Sequence, residues 1–89
     1  MIRSSLTISN KLGLHARASA KLTKLASGFQ CEVFMSRNGR RVNAKSIMGV
    51  MMLAAGQGAE IDVETDGADE QKAMDAIAAL IHDKFGEGQ

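Results

Sequence analysis

The chain predicts an α+β fold of two layers, an antiparallel sheet with its helices on one face. Three observations carry that expectation. Segments with a period of two alternate with segments of helical period in the order β-α-β-β-α-β-α. The strand segments alternate apolar with polar, as strands buried on one side do; strands covered on both faces run apolar throughout. Finally, 89 residues suit one small domain, residues 1–89, and leave little chain for a second.

Ile2, Leu6 and Ile8 alternate with Arg3, Ser5, Thr7 and Ser9 and define a half-buried first strand. Asn10 to Leu14 reads as a loop. From Ala16 to Ser27 the residues Ala18, Leu22, Leu25 and Ala26 form one helical face, Lys21 and Lys24 lie on the polar side, and Gly28 supplies the stop. Phe29, Cys31, Val33 and Met35 alternate with Gln30 and Glu32 and predict the second strand. Asn38-Gly39 marks a tight hairpin, because a type I′ turn needs positive φ at both positions, and Arg40 to Ala44 gives a short third strand. Ser46 is placed to cap a second helix ending near Ala55, before Gly56-Gln57-Gly58. Ile61, Val63 and Thr65 alternate with Glu60, Asp62, Glu64 and Asp66 in a fourth strand with one wet face. A third helix from about Asp69 places Ala73, Met74, Ile77, Leu80, Ile81 and Phe85 on one face.

Composition excludes several classes of function. With 11 Lys+Arg against 10 Asp+Glu there is no global charge for gripping nucleic acid, and with no Trp or Tyr there is no platform for stacking bases. Cys31 is the single cysteine, so an internal disulfide is impossible. No spacing of His, Cys and carboxylates matches a metal site, no glycine-rich nucleotide loop is present, and no cofactor is expected. Met1 to Ser5 lacks the apolar core of a signal peptide, and the apolar run Ile47 to Ala55 is far short of the roughly 20 residues that cross a bilayer. A cytoplasmic location without membrane insertion is the expectation.

The residues that point to chemistry are Gly13-Leu14-His15-Ala16-Arg17. Helix caps favour Ser, Thr, Asp and Asn, so a histidine at the junction of loop and helix is an unusual choice. The first turn of a helix presents unpaired N–H groups and the positive end of the dipole, a ready site for an anion. Arg17 adds a permanent charge within one turn, and no carboxylate lies between Lys11 and Lys24. A phosphoryl group on a ring nitrogen of His15 would bring roughly −1.5 to −2 charges, which the N–H groups near Ala16 and the Arg17 side chain would offset. Such transfer needs little beyond positioning and charge stabilisation.

A second candidate is Lys45 to Leu53. Ile47, Val50 and Leu53 make the expected stripe, yet Met48, Met51 and Met52 are apolar too. The helix is either buried on all sides or exposes part of this surface. A two-layer domain cannot easily bury a helix all round, which favours a flexible docking patch. Ser46 serves as a plain cap and could also accept a phosphate. Arg37, Arg40 and Arg41 flank the hairpin turn and read as a solvated basic tip, and His82 as a structural residue near a helix end.

These segments resemble a known family. Asn10-Lys11-Leu12-Gly13-Leu14-His15-Ala16-Arg17 is similar to the active-site segment of HPr, the histidine-containing phosphocarrier of the bacterial phosphotransferase system. Lys45-Ser46-Ile47-Met48-Gly49-Val50-Met51 resembles its regulatory-serine segment, and Gly58-Ala59-Glu60-Ile61 and Gly67-Ala68-Asp69-Glu70 fit the same pattern. The resemblance implies an open-faced β-sandwich with strand order 1-4-2-3. It implies a carrier without independent turnover, phosphorylated on Nδ1 of His15 by Enzyme I and discharging to an enzyme IIA domain. Arg17 would stabilise the phosphoryl group, and HPr kinase/phosphorylase would act on Ser46. Leu14, Lys21, Lys24, Ile47, Met48 and Met51 are the expected partner contacts, made by a monomer. The chain departs from the family at Ala18, where many members have proline, and it has no proline at all. That departure fits a regulatory, nitrogen-related branch, in which the chain would act purely as an interaction module.

Overall fold

The computed structural model describes residues 1–89. Its elements run β1 (Ile2–Thr7), α1 (Ala16–Ser27), β2 (Glu32–Arg37), β3 (Arg40–Asn43), α2 (Ile47–Met52), β4 (Glu60–Asp66) and α3 (Glu70–His82), followed by a 3-10 turn at Lys84–Gly86. The strands form one sheet in the order β1-β4-β2-β3, antiparallel at every pairing. Ser4 faces Val63 and Val33 faces Thr65, so β4 sits centrally and its Ile61, Val63 and Thr65 are all buried. The core lies between sheet and helices: Ala18, Leu22 and Ala26 of α1 and Ala73, Met74, Ile77 and Ile81 of α3 pack over Val33, Met35, Ile61 and Val63. The open face is polar, with Arg3 on Asp62 and Arg41 on Glu64, both at 2.8 Å. The two-layer α+β architecture and the strand order agree with the sequence reading.

Four details differ, each for a local reason. The second strand starts at Glu32 rather than Phe29. The Phe29 amide closes α1 by donating to Ala26 O, and the Gln30 and Cys31 amides donate to the Asp69 carboxylate at 2.9 Å each. α2 ends at Met52, not near Ala55, because Ala54 turns left-handed at φ 51°. Its C-terminal carbonyls are covered by the arginines expected to be solvated: Arg40 donates to Met52 O and Arg37 to Leu53 O, each at 3.1 Å. Arg41 lies over the Phe34 ring, 3.7 Å from its centroid. The basic tip is therefore a clamp joining the hairpin to α2 rather than a free end.

The fourth detail concerns the end of α3. Phe85 is fully buried as expected, but outside the helix: Lys84 and Phe85 both adopt positive φ, 54° and 56°. Left-handed backbone costs an L-residue roughly 1–2 kcal/mol, and two such residues in succession persist only where the surroundings over-determine them. Burial of the Phe85 ring offsets that cost, since fully burying such a side chain contributes about 1.5–3 kcal/mol. The reversal sends Gly86 to Gln89 back across the start of α1, where the Lys11 amide donates to Gln89 O at 2.9 Å.

Asp69 ties the β2 approach to the start of α3, and hydrogen bonds from the amide of Gln30 and then that of Cys31 outweigh the opposing effect of burial and hold its carboxyl below the ordinary value of 3.8. A lowered carboxyl stabilises the fold above the unfolded value and loses that contribution as pH falls through the folded one. Urea unfolding of Asp69→Ala is expected to show a lower midpoint than the parent near neutral pH. The difference should shrink steadily as pH falls below about 4. A pH-independent gap would mean that the carboxylate charge is not what Asp69 contributes.

Candidate functional site

His15 is the N-cap of α1, with φ −74° and ψ 178°, and its side chain does not cap the helix. Its carbonyl accepts the first helical bond, from the Ser19 amide at 2.9 Å. The amides of Ala16, Arg17 and Ala18 therefore have no acceptor within the backbone. A serine or aspartate here would have satisfied one of these donors; histidine leaves them open. Arg17 is exposed and makes no hydrogen bond or ion pair. Lys11, Leu12, His15, Arg17, Lys21, Gly86, Glu87 and Gln89 line a cleft of about 450 Å³ at this point. Three of the lining side chains are cationic and one is anionic.

The loop before His15 is fixed by close backbone approach. Gly13 has φ +66°, and a Cβ there would collide with Ala55 O and lie 2.7 Å from Gly56 Cα. The Leu14 amide donates to Ala55 O at 2.8 Å, so the loop is clipped to the segment leaving α2. Ser19 Oγ donates to Leu14 O at 3.1 Å and ties the other side to α1.

The ring of His15 is held from an unexpected direction. Its Nε2 lies 2.5 Å from Glu87 Oε2, and Asn10 Nδ2 donates to Glu87 Oε1 at 2.9 Å and to Gly13 O at 2.8 Å. Asn10 is fully buried. Hydrogen bonding from Asn10, then from His15, holds the Glu87 carboxyl below the usual carboxylate range. Lys21 Nζ donates to Phe85 O at 2.6 Å and secures the same segment. Asn10 and Leu12 belong to the segment the sequence marks, whereas no motif marks Glu87. A glutamate between two glycines carries no periodicity, and only the reversal at Lys84 and Phe85 brings it 72 positions back to His15.

Other expected residues fall as follows. Ser46 is exposed and caps α2, its Oγ accepting from the Gly49 amide at 3.2 Å. Ile47, Met48 and Met51 are 43%, 75% and 41% exposed, and Met52 is 56% exposed, so α2 does present an apolar surface beside α1. Lys24 is exposed and Lys21 half-buried. Leu14 is the exception: it is 5% exposed and packed in the core, which corrects its expected place among the contact residues. Ala18, at the position where proline is common, is fully buried in the first turn. No helix is long and apolar enough to cross a membrane.

Comparison with known proteins agrees with this arrangement. Residues 2–83 match a family described as PTS HPr component phosphorylation site. Over all 89 residues the chain is 67% identical to a phosphocarrier protein HPr of Cupriavidus necator, and 58% identical to one of Neisseria meningitidis, covering the whole of each. Its structure superposes on that of an HPr from Thermoanaerobacter tengcongensis with a TM-score of 0.95 at 41% identity, covering 98% of both chains. An HPr from Bacillus anthracis gives 0.87 at 40% identity, over 90% of this chain and 95% of that one. The class is thus a phosphocarrier, a protein that is loaded and unloaded without turnover of its own. The chain belongs to the HPr family of the phosphotransferase system.

Replacing Gly13 tests the clip. Gly13→Ala combines left-handed strain of about 1–2 kcal/mol with a backbone collision that the loop must move to relieve. The expected result is a loss of about 2–4 kcal/mol in urea unfolding, with amide NMR shifts concentrated at residues 10–17 and 53–57. Full stability with unmoved resonances would show that the approach of the two segments is not rigid.

Proposed function

We propose that His15 accepts a phosphoryl group on Nδ1 from Enzyme I, itself charged by phosphoenolpyruvate, and passes it to an enzyme IIA domain. The observation that carries this reading is the helix start: three amides without backbone acceptors and the free Arg17 side chain, all beside a histidine that does not cap. The Ala16 amide and the Arg17 guanidinium receive the phosphoryl oxygens and offset their charge. Ile47, Met48 and Met51, with Lys21 and Lys24, form the surface on which both partners dock in turn. The chain works as one unit over residues 1–89, a cytoplasmic monomer needing neither cofactor nor metal, and it does not bind nucleic acid.

A regulatory reading is favoured by one further observation, the exposure of Ser46 immediately before the apolar patch. Phosphorylation there by an HPr kinase/phosphorylase would place about −1.5 to −2 charges at the edge of the docking surface and weaken transfer. In a nitrogen-type system the chain would act mainly through such state-dependent binding.

Incubation with phosphoenolpyruvate and Enzyme I is expected to add about 80 Da, one acid-labile phosphoryl group. His15→Ala should abolish the adduct, and Arg17→Ala should slow its formation by about ten- to a hundred-fold. An adduct that survives His15→Ala would overturn the assignment. Ser46→Asp is expected to slow loading at least several-fold while leaving the fold intact by circular dichroism. Unchanged loading would remove the regulatory reading.

A further inference from the structure

We propose that Glu87 is the positioning residue for transfer: its carboxylate holds Nε2–H of His15 and leaves Nδ1 as the attacking atom. This rests on the reading of His15 as the phosphoryl acceptor and adds the group that orients it. Glu87 stands 2.5 Å from Nε2, and its other oxygen accepts from the fully buried Asn10 at 2.9 Å. An ionised carboxylate only accepts hydrogen bonds, so the single proton of a neutral imidazole sits on Nε2. Nδ1 then carries the lone pair, and no group of the chain bonds to it. The carboxyl value of Glu87, held down by Asn10 and His15, agrees with an ionised state.

The contact is built in rather than incidental. Phe85 is fully buried, its carbonyl accepts from Lys21 at 2.6 Å, and Gln89 O accepts from the Lys11 amide at 2.9 Å. Glu87 lies between these anchors. Asn10 also donates to Gly13 O at 2.8 Å, so one buried amide joins the carboxylate to the loop carrying His15.

The step balances without a proton changing owner. The Nδ1 lone pair attacks phosphorus, the Nδ1–P bond forms, and the bond to the donor breaks, its electron pair leaving with the donor atom. The ring gains one positive charge as an imidazolium, and Nε2–H donates to Glu87 more strongly in that state. On discharge the Nδ1–P pair returns to Nδ1 and the neutral Nε2–H ring is restored. Carboxylate–histidine pairs orient rings in this way in metal sites, where losing the carboxylate costs about 10–100-fold.

The test combines a ring signature with a rate. In the parent protein, proton–nitrogen NMR is expected to show a slowly exchanging, downfield Nε2–H of His15. Glu87→Ala should lose that signal and be loaded by Enzyme I and phosphoenolpyruvate about ten-fold more slowly. Glu87→Gln keeps an acceptor oxygen and should retain the signal with a rate between the two. Parental rate and signal in Glu87→Ala would overturn the proposal. So would a slower rate with an unchanged ring proton, since the loss would then arise elsewhere in the fold. If the parent forms no phosphohistidine at all, it is the carrier reading that fails instead.

Discussion

The contact on which the site depends is the clip between the Gly13-Leu14 backbone and Ala55-Gly56. Gly13 allows an approach that no side chain permits, and the Leu14 amide fixes its depth at 2.8 Å on Ala55 O. From this one join several things follow. Leu14 is pulled into the core, His15 is delivered at extended ψ as the N-cap of α1, and α2 is anchored beside α1. The helix that carries the exposed methionines and the helix that begins after the histidine are thus held against each other by the same clip. A cap worth about 1 kcal/mol is forgone at His15, a small sum against the several kcal/mol of core that holds the loop.

That forgone cap is the chemical asset. Ala16 and Arg17 are exposed at a helix start whose donors are open, so under the proposed reading their amides would take phosphoryl oxygens without breaking a bond of the fold. The donors are rigid because α1 is buried through Ala18, Leu22 and Ala26, so little reorganisation accompanies arrival of the charge. Ala18 serves this rigidity in place of proline. At the third helical position its amide has no partner to lose, and alanine is the best intrinsic helix former.

The sheet, its helices and the loop-to-helix junction at His15 were legible in the sequence because each is encoded locally. Period-two strands, the Asn38-Gly39 turn (φ 52° and 81°) and the sequence Gly13 to Arg17 all carry their geometry within a few residues. What escaped is long-range. The Gln30 and Cys31 amides look like strand donors until Asp69 arrives from α3. Arg37 and Arg40 look solvated until the end of α2 comes beneath them. Glu87 looks like an ordinary exposed acid until Phe85 is buried. In each case a side chain meets a backbone or ring more than ten positions away, and no pattern within one element reports such a meeting.

The absence of acid between Lys11 and Lys24 also takes on a different sense. A site for a transferable group must not hold it too well, for a group bound tightly by its carrier is not passed on. Lys11, Arg17 and Lys21 with three open amides would make a strong anion trap if nothing opposed them. Lys21 is committed to Phe85 O, and Glu87 places one negative charge at the far edge of the imidazole. A carboxylate in the first turn of α1 would compete for the open amides there. Brought in from beyond α3 to Nε2 of His15, the Glu87 carboxylate moderates the field without occupying a donor of the helix start. The fold thus separates two demands that local sequence could not reconcile: a helix start free of acid, and an acid within reach of its histidine.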